Sequence, residues 1–351
     1  MNLLIQPGHP LPVAVGQLDE AAGSSVRSVR CGGQGLSPII ALVSREGCRL
    51  PDAVIQASRA GHQRVGQCVA RDDTSVLGRY ALSPGTVQEG HLLDLGLRGK
   101  RVVVTGAGRG IGLAVVRGFV AEGAYVTAGS LRVSPELEEL ARGGSVTPVE
   151  VDLADPSGPG RLVDAAGDRI HVLVNNVGIA PPRPTGFLTV TDEMWGTTWN
   201  LNVMAAVRTT RAALPVMLET GAGAVVNTGS VNSRLPDPLV IDYSAAKAAL
   251  ANFAKSLSKE FGPRGIRVNT VAPGPVATDL WLGPDGVAAT VSAAGNIAPD
   301  DVAAGAARQM VTGRFSRPEE VADIVLLLAS DRTANVTGAE FTIDGGLLTT
   351  L

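Results

Sequence analysis

The chain has 351 residues, 45% of them hydrophobic, and a formal net charge of −3, a profile of an ordinary soluble globular protein with room for one large α/β domain plus an appendage, or for two domains. No basic stripe marks a nucleic-acid surface, no apolar run approaches the roughly 18 residues of a membrane span, and the N-terminus lacks the basic region of a signal peptide. The three cysteines, Cys31, Cys48 and Cys68, are widely spaced and form no Cys-x-x-Cys pair, which argues against a disulfide framework or a zinc site, so no metal is expected and a cytoplasmic location is the default.

Residues 1–92 differ from the rest. They hold all three Cys, three of the four His and no Lys, and Gly, Ser and Pro interrupt every apolar run. Only Pro38–Val43 and Asp52–Arg59 read as short elements. The segment is expected to be an irregular extension or no part of the native protein, with a small accessory domain as the third reading. Gln88-Glu89-Gly90 can be encoded by a purine-rich ribosome-binding sequence, and Leu93 would then be a non-ATG start.

From residue 93 onward the pattern sharpens. Lys100–Thr105 is apolar and β-branched, so it reads as a strand. It runs into Gly106-Ala107-Gly108-Arg109-Gly110-Ile111-Gly112 and an apolar helix over Leu113–Glu122. A Gly-rich turn between strand and helix lets backbone N–H groups approach a pyrophosphate. The next strand, Ala124–Ala128, is followed by Gly129-Ser130-Leu131-Arg132. An NAD site calls for a carboxylate near here to hold the ribose 2′-hydroxyl. None is present, and Arg132 with Arg109 suits a 2′-phosphate, so NADP is favoured over NAD. Ser145–Val151 and Ile170–Val174 read as further strands around a helix at Gly160–Asp168. The second of them ends in Asn175-Asn176-Val177-Gly178, polar and small where a crevice at a strand's carboxyl end would need it. Strands alternating with helices predict a doubly wound parallel sheet.

Gly223–Gly229 is a fifth strand signal, and Ala245–Phe261 reads as a helix. Between them lie Ser230, Tyr243 and Lys247. Tyr243 and Lys247 are four apart, so they share a helix face. A phenol with a reference pKa near ~10 is a poor proton donor or acceptor at neutral pH. An ammonium beside it favours the phenolate, and the Ser230 hydroxyl can polarise a carbonyl. Taken alone the pair also suits a solvated helix face; its context points to proton transfer at a carbinol oxygen.

With these residues in view, the chain resembles the short-chain dehydrogenase/reductase family over roughly Leu95–Leu348. The resemblance rests on Thr105-Gly106-x-x-x-Gly110-Ile111-Gly112, Asp152-Leu153, Asn175-Asn176-Val177-Gly178, Asn202, Ser230, Tyr243-x-x-x-Lys247 and Pro273-Gly274. It implies that Tyr243 is the acid/base, that Ser230 holds the substrate oxygen, and that Lys247 lowers the tyrosine pKa and binds the nicotinamide ribose. It implies that Asn202, rather than nearby Asn200, anchors a water in a proton relay. Asp152 and Leu153 would lie against the adenine, Asn176 and Gly178 would border the cofactor, and Pro273, Gly274, Val276 and Thr278 would cover the nicotinamide. It further implies subunit contacts through the helix Ala245–Phe261 and the final strand Thr337–Ile343, giving a homotetramer or dimer. Val177 stands where the family usually has Ala.

Residues from about 279 to 312 resemble the family's variable substrate lid. There Leu280, Trp281 and Leu282 either line an apolar pocket or pack the lid on the body. Pro318–Ala329 reads as a helix opened by Pro and acidic residues. The expected activity is NADP-dependent reduction of a ketone or aldehyde to an alcohol, or the reverse. The alternatives are an NAD-dependent secondary-alcohol dehydrogenase and, from another class, a catalytically silent nucleotide-binding regulator.

Overall fold

The computed structural model describes residues 24–31, 40–45, 68–69 and 94–350. The chain divides into two units, Met1–Val87 and Gln88–Leu351. In the first, β1 (Ser24–Cys31), β2 (Ile40–Arg45) and β3 (Cys68–Val69) form a small antiparallel sheet in the order β2-β1-β3. The strand β2 overlaps the element expected at Pro38–Val43; Asp52–Arg59 lies outside the described residues.

The second unit alternates strands and helices. Its order is β4 (Arg101–Thr105), α1 (Gly110–Ala121), β5 (Tyr125–Ser130), α2 (Pro135–Arg142), β6 (Val146–Glu150), α3 (Gly158–Ala166) and β7 (Val172–Asn175). Then come α4 (Asp192–Trp199), α5 (Ala205–Glu219), β8 (Gly223–Thr228), α6 (Ile241–Phe261) and β9 (Ile266–Pro273). Three helices, α7 (Asp279–Leu282), α8 (Val287–Gly295) and α9 (Pro299–Gln309), precede α10 (Pro318–Ala329) and β10 (Glu340–Ile343).

The seven strands pair in parallel in the order β10-β9-β8-β7-β4-β5-β6. This is the doubly wound Rossmann-type sheet expected from the alternation. Burial on both faces explains why the inner strands β4, β7 and β8 read as compact apolar runs. Successive side chains of β4 serve different layers. Val102 and Val104 pack with α1, α2 and α10 through Phe119, Leu137 and Val325, while Val103 packs with α3, α5 and α6 through Leu162, Met217 and Ala254. Strand order reverses direction between β4 and β7, so a crevice opens beyond their carboxyl ends. Among the described residues no helix is long and apolar enough to cross a membrane.

The helix α6 starts at Ile241, four residues before the predicted run. Asp237 accepts the Leu239 N–H at 2.9 Å and Pro238 sets the first turn, so the chain is already helical at Tyr243. The short helix α2, which sequence periodicity passed over, is capped by Ser134 and opened by Pro135. Leu137, Leu140 and Ala141 stand at helical spacing on it and face the core, so the period is present but spans only two turns.

Candidate active site

Polar side chains sew the carboxyl ends of β4, β7 and β8 together. Thr105 Oγ1 donates to the Val174 carbonyl at 3.3 Å and accepts the N–H groups of Asn176 and Val177 at 2.8 and 3.1 Å. The Asn176 amide donates to the carbonyls of Thr105 and Gly106 at 3.1 and 3.2 Å and accepts from Thr228 Oγ1 at 3.2 Å. Asn176 thus fixes the start of the Gly-rich loop to the end of β7.

That loop is shaped for close backbone approach. A Cβ on Gly112 would stand 2.1 Å from the Gly106 carbonyl oxygen, and Gly110 has φ +54°, where a Cβ is strained. The helix α1 begins there with no side-chain cap and no acidic residue in its first turn. Its first N–H groups are therefore left for an anionic ligand. A dinucleotide fits these residues: a glycine cradle that any side chain would fill, opening on an uncapped helix N-terminus.

The turn after β5 lies against the same loop. Ser130 Oγ donates to the Arg132 carbonyl at 2.7 Å, and a Cβ on Gly108 would lie 3.2 Å from that carbonyl oxygen. Arg109 and Arg132 therefore sit on adjoining backbone segments, with no carboxylate in the turn. Arg109 already has one neighbour, Asp279 at 3.7 Å, and both are largely exposed. Asp152 follows β6, is exposed, and accepts the Ala154 N–H at 2.8 Å, while Leu153 is buried. The 273–278 stretch is held from two sides. Gly274 N–H donates to Ile343 at 2.9 Å, and Ala277 N–H donates to Ser316 at 2.9 Å while Ser316 N–H donates to Pro275 at 3.0 Å. The methyl of Thr278 would be 3.2 Å from a Cβ on Gly110, so this loop borders the glycine cradle.

Ser230, Tyr243 and Lys247 come together beside it. Lys247 is buried, its Nζ lies 5.5 Å from the Tyr243 ring centroid, and it donates to the Thr228 carbonyl at 2.8 Å. Burial pushes Lys247 down from 10.5 to about 8. Burial also pushes the Tyr243 phenol above its ordinary value, and the nearby Ser230 hydroxyl only partly offsets it. The expectation that the neighbouring ammonium draws Tyr243 toward neutrality is thus reversed in the protein by itself. Desolvation outweighs the other contributions, and the lysine that was to help is itself destabilised as a cation.

Asn202 completes the cluster from an unexpected local structure. Between α4 and α5 the chain makes a π-helical turn, Asn200–Met204, a widening often associated with functional sites. The Asn202 amide donates to the carbonyls of Ile179 and Thr198, both at 2.9 Å. Its buried Oδ1 has no hydrogen-bond partner among the described residues. A Cβ on Gly178 would lie 2.6 Å from that oxygen and 3.4 Å from Lys247 Nζ, so Asn202 and Lys247 face one small space that only glycine leaves open. Asn200 instead donates to the Ala154 carbonyl at 2.9 Å and accepts from Arg208 at 2.7 Å.

Two groups escaped the sequence reading. The buried Asp242, next to Tyr243, takes two-pronged bonds from Arg183 at 2.5 and 3.4 Å and one from Thr198 Oγ1 at 2.7 Å. Burial alone would raise the Asp242 carboxyl; the bonds from Arg183 and Thr198 and the guanidinium charge outweigh it and hold the group below its ordinary value. An acid inside an otherwise small and apolar stretch of α6 was the one available signal; nothing in the loop around Arg183 pointed to its partner. The second group is Asn232, whose N–H donates to Ser230 Oγ at 3.2 Å and whose Oδ1 accepts from it at 3.1 Å.

Comparison with known proteins gives consistent matches. A family model described as enoyl-(acyl carrier protein) reductase matches residues 106–348. The 3-oxoacyl-[acyl-carrier-protein] reductase FabG of Thermotoga maritima is 34% identical over 259 residues, covering 72% of this chain and 99% of that protein. The L-xylulose reductase of Mus musculus is 35% identical over 264 residues, covering 74% of this chain and 100% of the relative. Among solved structures, the L-sorbose reductase of Gluconobacter frateurii complexed with NADPH and L-sorbose superposes with a TM-score of 0.68 at 33% identity, covering 74% of this chain and all of that one.

Proposed function

The chain belongs to the short-chain dehydrogenase/reductase family, whose members are NAD(P)-dependent oxidoreductases acting on CH–OH groups, and from that premise we propose that it is an NADP-dependent reductase of a small ketone or aldehyde. The observation that supports this most directly is the convergence of Tyr243, Ser230, Lys247 and Asn202 next to a glycine cradle at the sheet's switch point.

The bound dinucleotide supplies the hydride. In this reading Tyr243 gives its phenolic proton to the carbonyl oxygen as that oxygen gains charge. Ser230 Oγ donates a hydrogen bond to the same oxygen and fixes its position. Lys247, 5.5 Å from the phenol ring, stabilises the tyrosinate left behind, and Asn202 Oδ1 anchors the water through which the proton returns. Gly106, Gly110, Ile111 and Gly112 hold the pyrophosphate; Asp152 and Leu153 border the adenine; Asn176 and Gly178 border the ribose; Pro273, Gly274, Val276 and Thr278 cover the nicotinamide. Arg132, with Arg109 and Ser130, takes the 2′-phosphate, which supports NADP. That a solved relative carries NADPH supports it too. Residues 279–312 act as the substrate lid, and the enzyme assembles as a homo-oligomer through α6 and β10.

A second reading, an NAD-dependent alcohol dehydrogenase, draws on Arg109 being already engaged by Asp279. A carbonyl panel assayed by nicotinamide absorbance with NADPH and NADH in parallel tests both. Faster turnover with NADPH is expected; a preference for NADH would favour the second reading, and no turnover with either would defeat both.

A further inference from the structure

The surroundings of Ser230 indicate which ketones the site takes, an inference that rests on the reductase reading above. Ser230 is buried and follows β8; Asn232 is half-buried, two residues on, in the short turn Val231–Ser233. Ser230 Oγ accepts the Asn232 N–H at 3.2 Å and donates its own proton to Asn232 Oδ1 at 3.1 Å. The far side of the amide is tied down as well. Asn232 Nδ2 donates to Ser244 Oγ at 3.4 Å, and Ser244 Oγ in turn accepts the Asp237 N–H at 3.2 Å. The Asn232 amide is thus held between the catalytic serine and α6.

A serine hydroxyl has a single proton to donate. For Ser230 to hold a substrate carbonyl oxygen, that proton must leave Asn232 Oδ1. A half-buried amide oxygen then loses its donor, which is unfavourable unless another donor replaces it. A simple ketone offers none. A ketone with a hydroxyl on the adjacent carbon offers one in the right place. With the two oxygens eclipsed, they lie about as far apart as Ser230 Oγ and Asn232 Oδ1. The carbonyl oxygen accepts from Ser230 while the hydroxyl donates to Asn232.

We propose that Asn232 is a specificity-determining residue and that the substrate is an α-hydroxy ketone, a class that includes open-chain ketoses. Asn232 takes the hydroxyl next to the reacting carbonyl, and Ser230 changes partner from Asn232 to the substrate.

The test uses the full chain with NADPH and two ketones of matched shape, hydroxyacetone and butanone. The wild-type protein and the variants Asn232→Leu, which removes the amide, and Asn232→Asp, which keeps an acceptor, are compared by kcat/KM. The ratio of hydroxyacetone to butanone should be about ten-fold or more in the wild type, should fall about ten-fold in Asn232→Leu, and should stay within about three-fold of the wild-type value in Asn232→Asp. Comparing the ratio between variants removes the greater intrinsic reactivity of hydroxyacetone. NADPH affinity, read by fluorescence, should be the same in all three proteins. A ratio unmoved in Asn232→Leu, or a wild-type protein that turns over both ketones equally, overturns the inference while leaving the reductase reading intact. If Asn232→Leu fails to bind NADPH, Asn232→Ala, which also removes the amide, takes its place in the comparison. No turnover of any carbonyl by the wild type removes the reductase reading and this inference together.

Discussion

Arg183 and Asp242 lie 59 residues apart in the chain and meet in a two-pronged ion pair next to Tyr243, with side-chain exposures of 12% and 0%. The Arg183 N–H also donates to the Leu239 carbonyl at 2.6 Å, so the loop after β7 is fastened twice to the start of α6. Removing one member of a buried pair leaves the other charge uncompensated and typically costs about 3–5 kcal/mol. Arg183→Met should therefore lose stability on this scale in urea unfolding, and joint replacement with Asp242→Leu should recover part of it.

The same carboxyl sets an acid limb. Its folded pKa lies below the unfolded value of roughly 3.9, so its contribution is present above that pH and is lost as pH falls through the folded value. The wild-type protein should destabilise across that window more steeply than Asp242→Asn, as read by unfolding midpoints at a series of acidic pH values.

Lys247 acts with the opposite sense at the alkaline end. Its folded pKa of about 8 lies below the unfolded value of 10.5, so the folded state binds fewer protons between them. Stability from this group is lost as pH falls through that window and gained as pH rises. Lys247→Met should be at least as stable as the wild type near neutrality without ligand, and the difference should shrink toward pH 10. The same variant should lose most turnover, since the tyrosinate then has no cation beside it.

Tyr243→Phe removes the proton donor and leaves the ring packing in place. Turnover should fall by about 10²–10⁴-fold or more, the usual contribution of a positioned acid, while NADPH binding measured by fluorescence persists. Substantial activity in this variant would end the assignment of Tyr243 as the acid.

Arg132→Ala should raise KM for NADPH by about ten-fold or more, consistent with a lost charge-assisted contact, with little change for NADH. Arg109→Ala should have a smaller effect because Asp279 already competes for its guanidinium. Parallel titrations with the two cofactors separate the contributions.

The middle of the sheet was legible because its inner strands are buried on both faces and so write compact β-branched runs, as at Arg101–Thr105 and Gly223–Thr228. The Gly-rich loop was legible because only glycine tolerates its contacts. Tyr243 and Lys247 were legible through helical spacing, and their surroundings were not. Desolvation of Lys247 depends on which residues close over it, and no local pattern records that. The Arg183–Asp242 pair joins a loop to a helix, so neither residue carries a period, and Asn232 belongs to a three-residue turn too short for one. The widened turn at Asn200–Met204 also left no trace, because it holds no Gly or Pro to mark a break in the helix.

That turn constrains how the chain can change length. The extra residue of an i→i+5 turn is taken up locally, so α4 and α5 stay nearly in phase across it. Thr198 ahead of the turn meets Asp242, and Asn202 within it reaches Ile179. Losing one residue here, Leu201 for instance, would let a regular helix close with both flanks still in register, and the change would fall on the widened backbone that presents Asn202. A shortening at this point would therefore be felt by the active site and hardly at all by the rest of the fold.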